Sequence, residues 1–286
     1  MRGNIGTNIL IGKGIWQEYG KISYIPQVTA EDIMTAPQPL SPVLFVGAGP
    51  GAARHLTLGA YQALQAAEVV IHDRLVGPEI MALIPATARL VDVGKEGFGP
   101  STKQVDINAI LVAHALTGER VVRLKGGDPG IFGRLDEEID ALEANALPYD
   151  ILPGLTSATV AAASIGQSLT KRGRNAALRI VTGHDMAGFA EQDWRGLARA
   201  GEVAAIYMGK KSARFIQGRL IMHGAGPDTP VTLVENVSRA DQRILATTLS
   251  ALPDTVALCD GPAIILYGLA PRAAVLAIPQ LHEATA

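Results

Sequence analysis

The chain has 286 residues, of which 48% are hydrophobic and 18% are charged, and its formal net charge is −2. This composition excludes an intrinsically disordered chain, and the length allows one large domain or two ordinary ones. The slightly acidic balance argues against a general nucleic-acid binder, although a local basic pocket is compatible with it.

Cys259 is the only cysteine, so the sequence offers neither a disulfide framework nor a cysteine-based metal site. The histidines show no metal-ligand spacing, and we therefore expect no metal. No apolar run reaches the roughly 18–20 residues of a membrane span, and Gly12 and Lys13 interrupt any signal-peptide core. These features predict a cytoplasmic protein without a membrane partner.

Residues 1–42 differ from the rest of the chain and are interpreted as an N-terminal extension. They are rich in glycine and end with Pro37, Pro39 and Pro42, which predict a stiff linker. Three interpretations remain open: a loosely held arm, an arm that contacts a dimer mate or partner, or translation that begins at Met34.

From residue 43 onward, strand and helix patterns alternate along the chain. The predicted strands cover residues 43–46, 68–73, 89–93, 121–125, 149–152, 177–182, 203–208, 230–235 and 262–267. The predicted helices cover residues 58–67 with Thr57 as N-cap, 104–116 closed by Gly118, 136–146 and 156–166. The alternation predicts an α/β fold with largely parallel sheets, divided into domains at 43–153 and 154–286 with an active-site cleft between them.

The central predicted strand, residues 121–125, runs directly into Gly126 and Gly127. Glycines at this point let another molecule approach the backbone closely. Asp128 is suited to cap a following helix, and Pro129 to occupy its first position. Because ligands of open α/β sheets bind at the carboxyl ends of strands, this turn predicts a small-molecule site.

A second glycine loop, residues 47–52, matches the dinucleotide fingerprint G-x-G-x-x-A and is followed by Asp73 at the end of the next strand. It predicts, as an alternative, a nicotinamide- or flavin-dependent oxidoreductase. Two features weigh against this interpretation: Pro50 removes a backbone N–H donor from the loop, and the helix starts late, near Thr57, so its N-terminus is not placed against the loop. A tight turn without a ligand is also compatible with the pattern.

The ordered set of motifs resembles the tetrapyrrole methylase family over about residues 43–270. The motifs are GAGPG at 47–51, DRLV at 73–76, VGK at 93–95, RLKGGDP at 123–129, PGLTS at 153–157, TGH at 182–184, YMG at 207–209 and VEN at 234–236. RLKGGDP most resembles the uroporphyrinogen-III C-methyltransferases, free-standing or as the methylase part of sirohaem synthase. The resemblance implies a homodimer that uses S-adenosylmethionine to convert uroporphyrinogen III into precorrin-1 and precorrin-2, for sirohaem, haem d1 or cobalamin.

The resemblance also implies roles for individual residues. The cofactor site maps onto Pro50, Gly126, Gly127, Asp128, Ile131, Thr156, Ser157, Met208 and Val237, the last of which stands where the family has glycine. Asp73 matches the proposed proton acceptor and Lys95 the proposed donor. The substrate that the resemblance implies is a polycarboxylate, so the candidates for binding it are Arg123, Arg134, Lys171 and Arg172.

Without the resemblance, other interpretations of these residues stay open. Met208 is then a core residue, Asp73 a loop acid or helix cap, and Lys95 a solvated surface lysine. The chain also departs from the family pattern at Gly130, Leu135, Gln167 and Lys171. A diverged homologue that binds a tetrapyrrole without catalysis is therefore a further alternative.

Overall fold

The computed structural model describes residues 40–94, 102–185 and 188–272, so the predicted extension at 1–42 lies almost entirely outside the described residues. The strands are β1 (Val43–Gly47), β2 (Val69–His72), β3 (Arg89–Asp92), β4 (Val121–Lys125), β5 (Tyr149–Leu152), β6 (Arg179–Thr182), β7 (His184–Asp185), β8 (Gly188–Phe189), β9 (Ala204–Tyr207), β10 (Pro230–Glu235), β11 (Arg243–Thr248) and β12 (Ala263–Tyr267). The helices are α1 (Leu58–Ala66), α2 (Pro78–Met81), α3 (Gln104–Ala115), α4 (Leu135–Glu143), α5 (Ser157–Ser164), α6 (Trp194–Leu197), α7 (Ala213–Met222) and α8 (Leu252–Val256). None of these helices has the length and apolar character needed to cross a bilayer.

The first sheet has the strand order β3-β2-β4-β1-β5, and all of its strand pairs are parallel. Its central strand β4 is buried along its whole length, as its apolar residues Val122 and Leu124 favour. Helices cover both faces: Leu111 of α3 and Leu142 of α4 pack on one face, and Leu64 of α1 packs on the other. The carboxyl ends of β1, β2 and β4 therefore meet at one edge.

The second sheet has the order β11-β10-β12-β9-β6 and is mixed. Only β6 and β9 pair in parallel, whereas β9–β12, β12–β10 and β10–β11 are antiparallel, which differs from the expectation of largely parallel pairing. Residues 236–242 alone separate β10 from β11, and they are too few for the crossover that parallel neighbours require. Strand β11 is not among the predicted strands, because its residues are half-buried or exposed and lack a strong apolar pattern.

The predicted start of α1 is confirmed, since the Thr57 side chain accepts the N–H of Ala60 at 3.1 Å. The predicted helix after Asp128 is wrong: the chain forms turns there, and α4 begins only at Leu135. Phe132 and Arg134 have φ values of 52° and 55°, which a helix does not accommodate.

Candidate active site

A cavity of about 550 Å³ lies between the two sheets. Its walls are the loops that follow β1, β2 and β4, the start of α5, and the loops that follow β9 and β10. This is the edge at which parallel sheets bind ligands, and the volume lies within the range of small-molecule pockets.

The structure brings all nine residues predicted to bind the cofactor to this cavity. They are Pro50, Gly126, Gly127, Asp128, Ile131, Thr156, Ser157, Met208 and Val237. Gly49 and Gly127 tie the β1 and β4 loops together through reciprocal N–H···O bonds of 3.1 and 2.9 Å. Gly127 has φ +73°, and a Cβ added there meets no atom within 4 Å, so its α-carbon borders open space.

The polar and apolar groups of the cavity fit the cofactor that the resemblance implies. Asp128 accepts the N–H groups of Gly130 and Gly154, each at 2.9 Å, and its carboxylate retains lone pairs that suit an ammonium group. Thr156 caps α5 by accepting the Thr159 N–H at 3.3 Å. Met208 is 52% exposed, so it is not a core residue and offers a soft apolar surface for a purine ring.

Asp73 lies at the carboxyl end of β2, lines the cavity, and has a side chain that is 33% exposed. Nη2 of Arg123 donates to Oδ1 of Asp73 at 2.6 Å, so this carboxylate is neither a free loop acid nor a helix cap. Lys95, predicted as the proton donor, lies outside the described residues.

The sequence predicts that Arg123 binds substrate, but the position of Arg123 argues against that role. It is 1% exposed, and its Nε and Nη2 donate to Glu138 at 2.9 and 3.0 Å. Lys125, two residues later on the same face of β4, also donates to Glu138 at 2.6 Å and lines the cavity. Burial, and then the neighbouring Arg123, lower the pKa of Lys125, while Glu138 opposes them.

The other predicted substrate residues do not line the cavity either. Arg134 forms an exposed ion pair with Glu137 at 2.7 Å and borders a separate depression of about 310 Å³. Lys171 and Arg172 lie in an exposed turn. Sequence patterns do not show which basic residues a fold turns toward a cavity, and this explains why the predicted residues lie elsewhere.

The cations that do line the far wall are Lys210, Lys211 and Arg239. Nζ of Lys210 donates to the carbonyl oxygens of Cys259 and Gly261 at 2.6 and 2.7 Å, which fixes its position. Sequence analysis missed these residues, although Lys210 and Lys211 directly follow the YMG motif. The cavity therefore carries its accessible positive charge on the side of the second sheet.

Two hydrogen bonds join the walls across the cavity rim. Oγ of Ser238 accepts the Ala52 N–H at 2.9 Å, and Nη2 of Arg239 donates to the Leu75 carbonyl at 2.7 Å. Asn236 and Ser238 carry φ values of 49° and 61°, and such strained backbone persists only where surrounding contacts hold it.

The dinucleotide alternative is not supported by the geometry of the first glycine loop. A 3₁₀ turn, Ala53–His55, separates residues 47–52 from α1, so the helix N-terminus does not directly follow the loop. Asp73, which that alternative assigns to a ribose, is hydrogen-bonded to Arg123.

Comparisons with known proteins agree on one family. The profile described as Tetrapyrrole (Corrin/Porphyrin) Methylases matches residues 42–253. A siroheme synthase of Edwardsiella ictaluri (strain 93-146) is 43% identical over 233 residues, covering 82% of this chain and 50% of the relative. A siroheme synthase of Tolumonas auensis is 42% identical over 226 residues, covering 79% and 48%. The chain thus spans about half the length of the curated relatives it matches.

Solved structures give the same result. The uroporphyrin-III C-methyl transferase from Thermus thermophilus, complexed with S-adenyl homocysteine, is 33% identical with a TM-score of 0.69, covering 83% of this chain and 100% of that one. A cobalt precorrin-4 methyltransferase, 24% identical with a TM-score of 0.70, shares the fold over 85% of this chain and 98% of its own. Sequence, fold and cavity together show that the chain belongs to the tetrapyrrole (corrin/porphyrin) methylase family.

Proposed function

We propose that this chain binds S-adenosylmethionine in the cavity and methylates two pyrrole carbons of uroporphyrinogen III, giving precorrin-1 and then precorrin-2. The observation that carries the proposal is the convergence of nine predicted cofactor residues and Asp73 on one cavity. It is supported by the relatives, which are siroheme synthases and a uroporphyrin-III C-methyl transferase crystallised with S-adenyl homocysteine. The proposal assigns the product to sirohaem or cobalamin synthesis and places the reaction in the cytoplasm, without nucleic-acid or membrane partners.

The proposed reaction requires the protein to position the methyl donor against the ring carbon and to supply one proton acceptor. When bound, S-adenosylmethionine supplies an electrophilic methyl group on its sulfonium. Holding reactants in line contributes about 7–11 kcal/mol in well-oriented systems. The methylated ring carbon must also release its proton, and Asp73 is the proposed acceptor because its carboxylate is partly exposed in the cavity. The proposed reaction draws on no metal.

The substrate carboxylates need cations that are accessible within the cavity. We assign this role to Lys211 and Arg239, with Lys210 behind them, in place of the four residues predicted from sequence. Arginine and lysine at a cavity wall suit flexible carboxylate groups, and the two cations of β4, Arg123 and Lys125, are already paired with Glu138.

Calorimetric titration with S-adenosylhomocysteine tests the cofactor class, with NAD and NADP as parallel controls. Gly127→Ala places a methyl group in open space at the cavity, so the proposal expects at least about a tenfold loss of affinity. Gly118→Ala is the matched control, because Gly118 has φ +77° and equally open surroundings but lies in the turn after α3, away from the cavity lining. The two variants therefore introduce the same kind of backbone strain, and only Gly127→Ala places the added methyl group at the cavity. Equal affinities of the two variants for S-adenosylhomocysteine would contradict the proposal that the cofactor binds in this cavity.

A methyl-transfer assay with uroporphyrinogen III then tests turnover. Release of S-adenosylhomocysteine together with precorrin-2 supports the proposal. Binding of the cofactor product without turnover would favour the diverged, non-catalytic homologue instead. Binding of NAD or NADP alone would restore the oxidoreductase interpretation.

We also propose that the chain acts as a homodimer. Among the described residues, β5 and β6 are edge strands that expose Ile151 (39%) and Ile180 (37%), and exposed apolar residues on edge strands favour association. Sedimentation equilibrium tests this, and a monomer at micromolar concentration would contradict it.

A further inference from the structure

Glu138, on α4, is a buried carboxylate that no sequence motif assigns to the site. It is 1% exposed and accepts hydrogen bonds from Arg123 and from Lys125, with Gln104 of α3 as a third donor at 3.3 Å. An ionised carboxylate is expensive to bury unless cations and donors surround it. Glu138 is therefore the centre of a local charge cluster.

The cluster reaches the cavity through Arg123. The same nitrogen, Nη2, donates to Glu138 at 3.0 Å and to Asp73 at 2.6 Å. Arg123 also directs Nη1 at the carbonyls of Ile71 and Leu124, at 3.4 and 3.3 Å. The guanidinium is thus fixed on several sides, and the direction of the Asp73 carboxylate depends on the guanidinium that Glu138 orients.

Lys125 forms the second branch from Glu138 to the cavity. The charged groups that face it are Arg123 on its own strand, Asp73 from the loop after β2, and Glu138 and Glu137 from α4. Arg123 and Lys125 balance Asp73 and Glu138 in formal charge. Loss of Glu138 leaves an unbalanced positive charge among buried groups, and the lysine can relieve it by releasing a proton.

We propose that Glu138 is a positioning residue for the cavity: it orients Arg123 so that Asp73 faces the substrate space, and it keeps Lys125 charged at the wall. The catalytic part of this inference rests on the proposed function. The pairing itself concerns the ligand-free protein and is measurable whether or not the chain methylates anything.

The first test is a lysine titration by NMR in the ligand-free full chain, with ¹³C-labelled lysine and the Lys125 signal assigned through Lys125→Arg. Glu138→Gln keeps the shape of the side chain and removes its charge. The Lys125 signal is expected to titrate at least about one pH unit lower in this variant than in the parent chain. Asp140→Asn is the matched control, because Asp140 lies on the exposed side of the same helix and its loss removes the same charge. An unchanged Lys125 titration in Glu138→Gln would overturn the proposal.

The second test separates positioning from general stability. Glu138→Gln is expected to lower kcat about 100-fold, with S-adenosylhomocysteine affinity kept within about threefold and the alkaline limb of the pH profile moved to lower pH. Glu138→Asp, which keeps the charge, is expected to restore the limb. A loss of melting temperature and of turnover with the same pH profile would mark a merely structural role and contradict the proposal. An inactive parent chain that binds S-adenosylhomocysteine would refute the proposed function but leave the titration result standing.

A double variant keeps the proposal testable if Glu138→Gln does not fold. Glu138→Gln with Lys125→Met removes one charge of each sign, so the cluster is again balanced and the chain is expected to fold. Its turnover is expected to stay low, because Arg123 still lacks the carboxylate that orients it. Turnover equal to the parent chain in this variant would overturn the proposal.

Discussion

Replacing Gly47 by alanine tests whether the packing of three loops forms the cavity floor. Gly47 ends β1, and a Cβ added there lies 2.6 Å from Cα of Gly154 and 2.8 Å from the carbonyl oxygen of Gly127. Carbon atoms pack at about 3.5–4.0 Å, so the neighbouring loop must move by about 1 Å to admit one methyl group. Overpacking of this kind typically costs about 1–3 kcal/mol. The carbonyl oxygen of Gly127 is among the displaced atoms, and Gly127 borders the cavity.

The expected result for Gly47→Ala is a free energy of unfolding lower by about 1–3 kcal/mol and S-adenosylhomocysteine affinity lower by at least about tenfold. Urea unfolding and calorimetric titration measure the two quantities. Gly59→Ala is the control, since a Cβ at Gly59 in α1 meets nothing within 4 Å and alanine is expected to stabilise the helix by about 0.5–1 kcal/mol. Gly47→Ala with the stability and affinity of Gly59→Ala would refute the packing argument.

Three further predictions concern a hydrogen bond at the cavity rim, a cation of the cavity wall, and the pH dependence of the free energy of unfolding. Ser238→Ala leaves the buried Ala52 N–H without its acceptor, so the free energy of unfolding measured in urea is expected to fall by about 1–3 kcal/mol. The affinity for S-adenosylhomocysteine is expected to fall with it. Ser250→Ala is the control, because Ser250 is exposed. Lys211→Ala is expected to raise the KM for uroporphyrinogen III roughly fivefold, equivalent to about 1 kcal/mol, without changing cofactor affinity, and a larger effect from Arg172→Ala would favour the assignment made from sequence. Burial, and then Arg89, lower the pKa of His114 below its ordinary 6.5, while Glu119 opposes them, so the folded chain binds fewer protons than the unfolded chain below that pH. The free energy of unfolding is therefore expected to fall as the pH decreases below 6.5, and His114→Leu to reduce this slope in urea titrations; an unchanged slope would contradict it.

The parts of the fold that sequence predicts are those whose cause is local. Strands β1 and β2 carry continuous apolar runs that end at Gly47 and at His72, directly before Asp73, and Thr57 has the hydroxyl that an N-cap requires. The resemblance adds the set of cavity residues, because each stands at a strand end or in a loop that follows one. Strand β11 escapes prediction because no residue in it is buried.

The roles of the basic residues escape prediction for a different reason. Arg123 has the sequence context of a ligand-binding residue, at the start of RLKGGDP. Whether it binds a ligand depends on Glu138, 15 positions later, which α4 folds back against β4. Nothing local in the sequence says that Glu138 is buried while Glu137, the residue before it, is half-exposed in an ion pair with Arg134.

Strand β4 contributes both to the buried charge cluster around Glu138 and to the cavity. Its alternation turns Arg123 and Lys125 toward α4, where Glu138 pairs both, and its end delivers Gly126 and Gly127 to the cavity. Positive charge on this side is neutralised within the protein and is suited to fixing Asp73 rather than to binding a polyanion. The proposed carboxylate binding then falls to the opposite wall, where Lys211 is exposed and Arg239 spans the rim. The two sheets thus divide the proposed work, with proton transfer on the first and substrate recognition on the second.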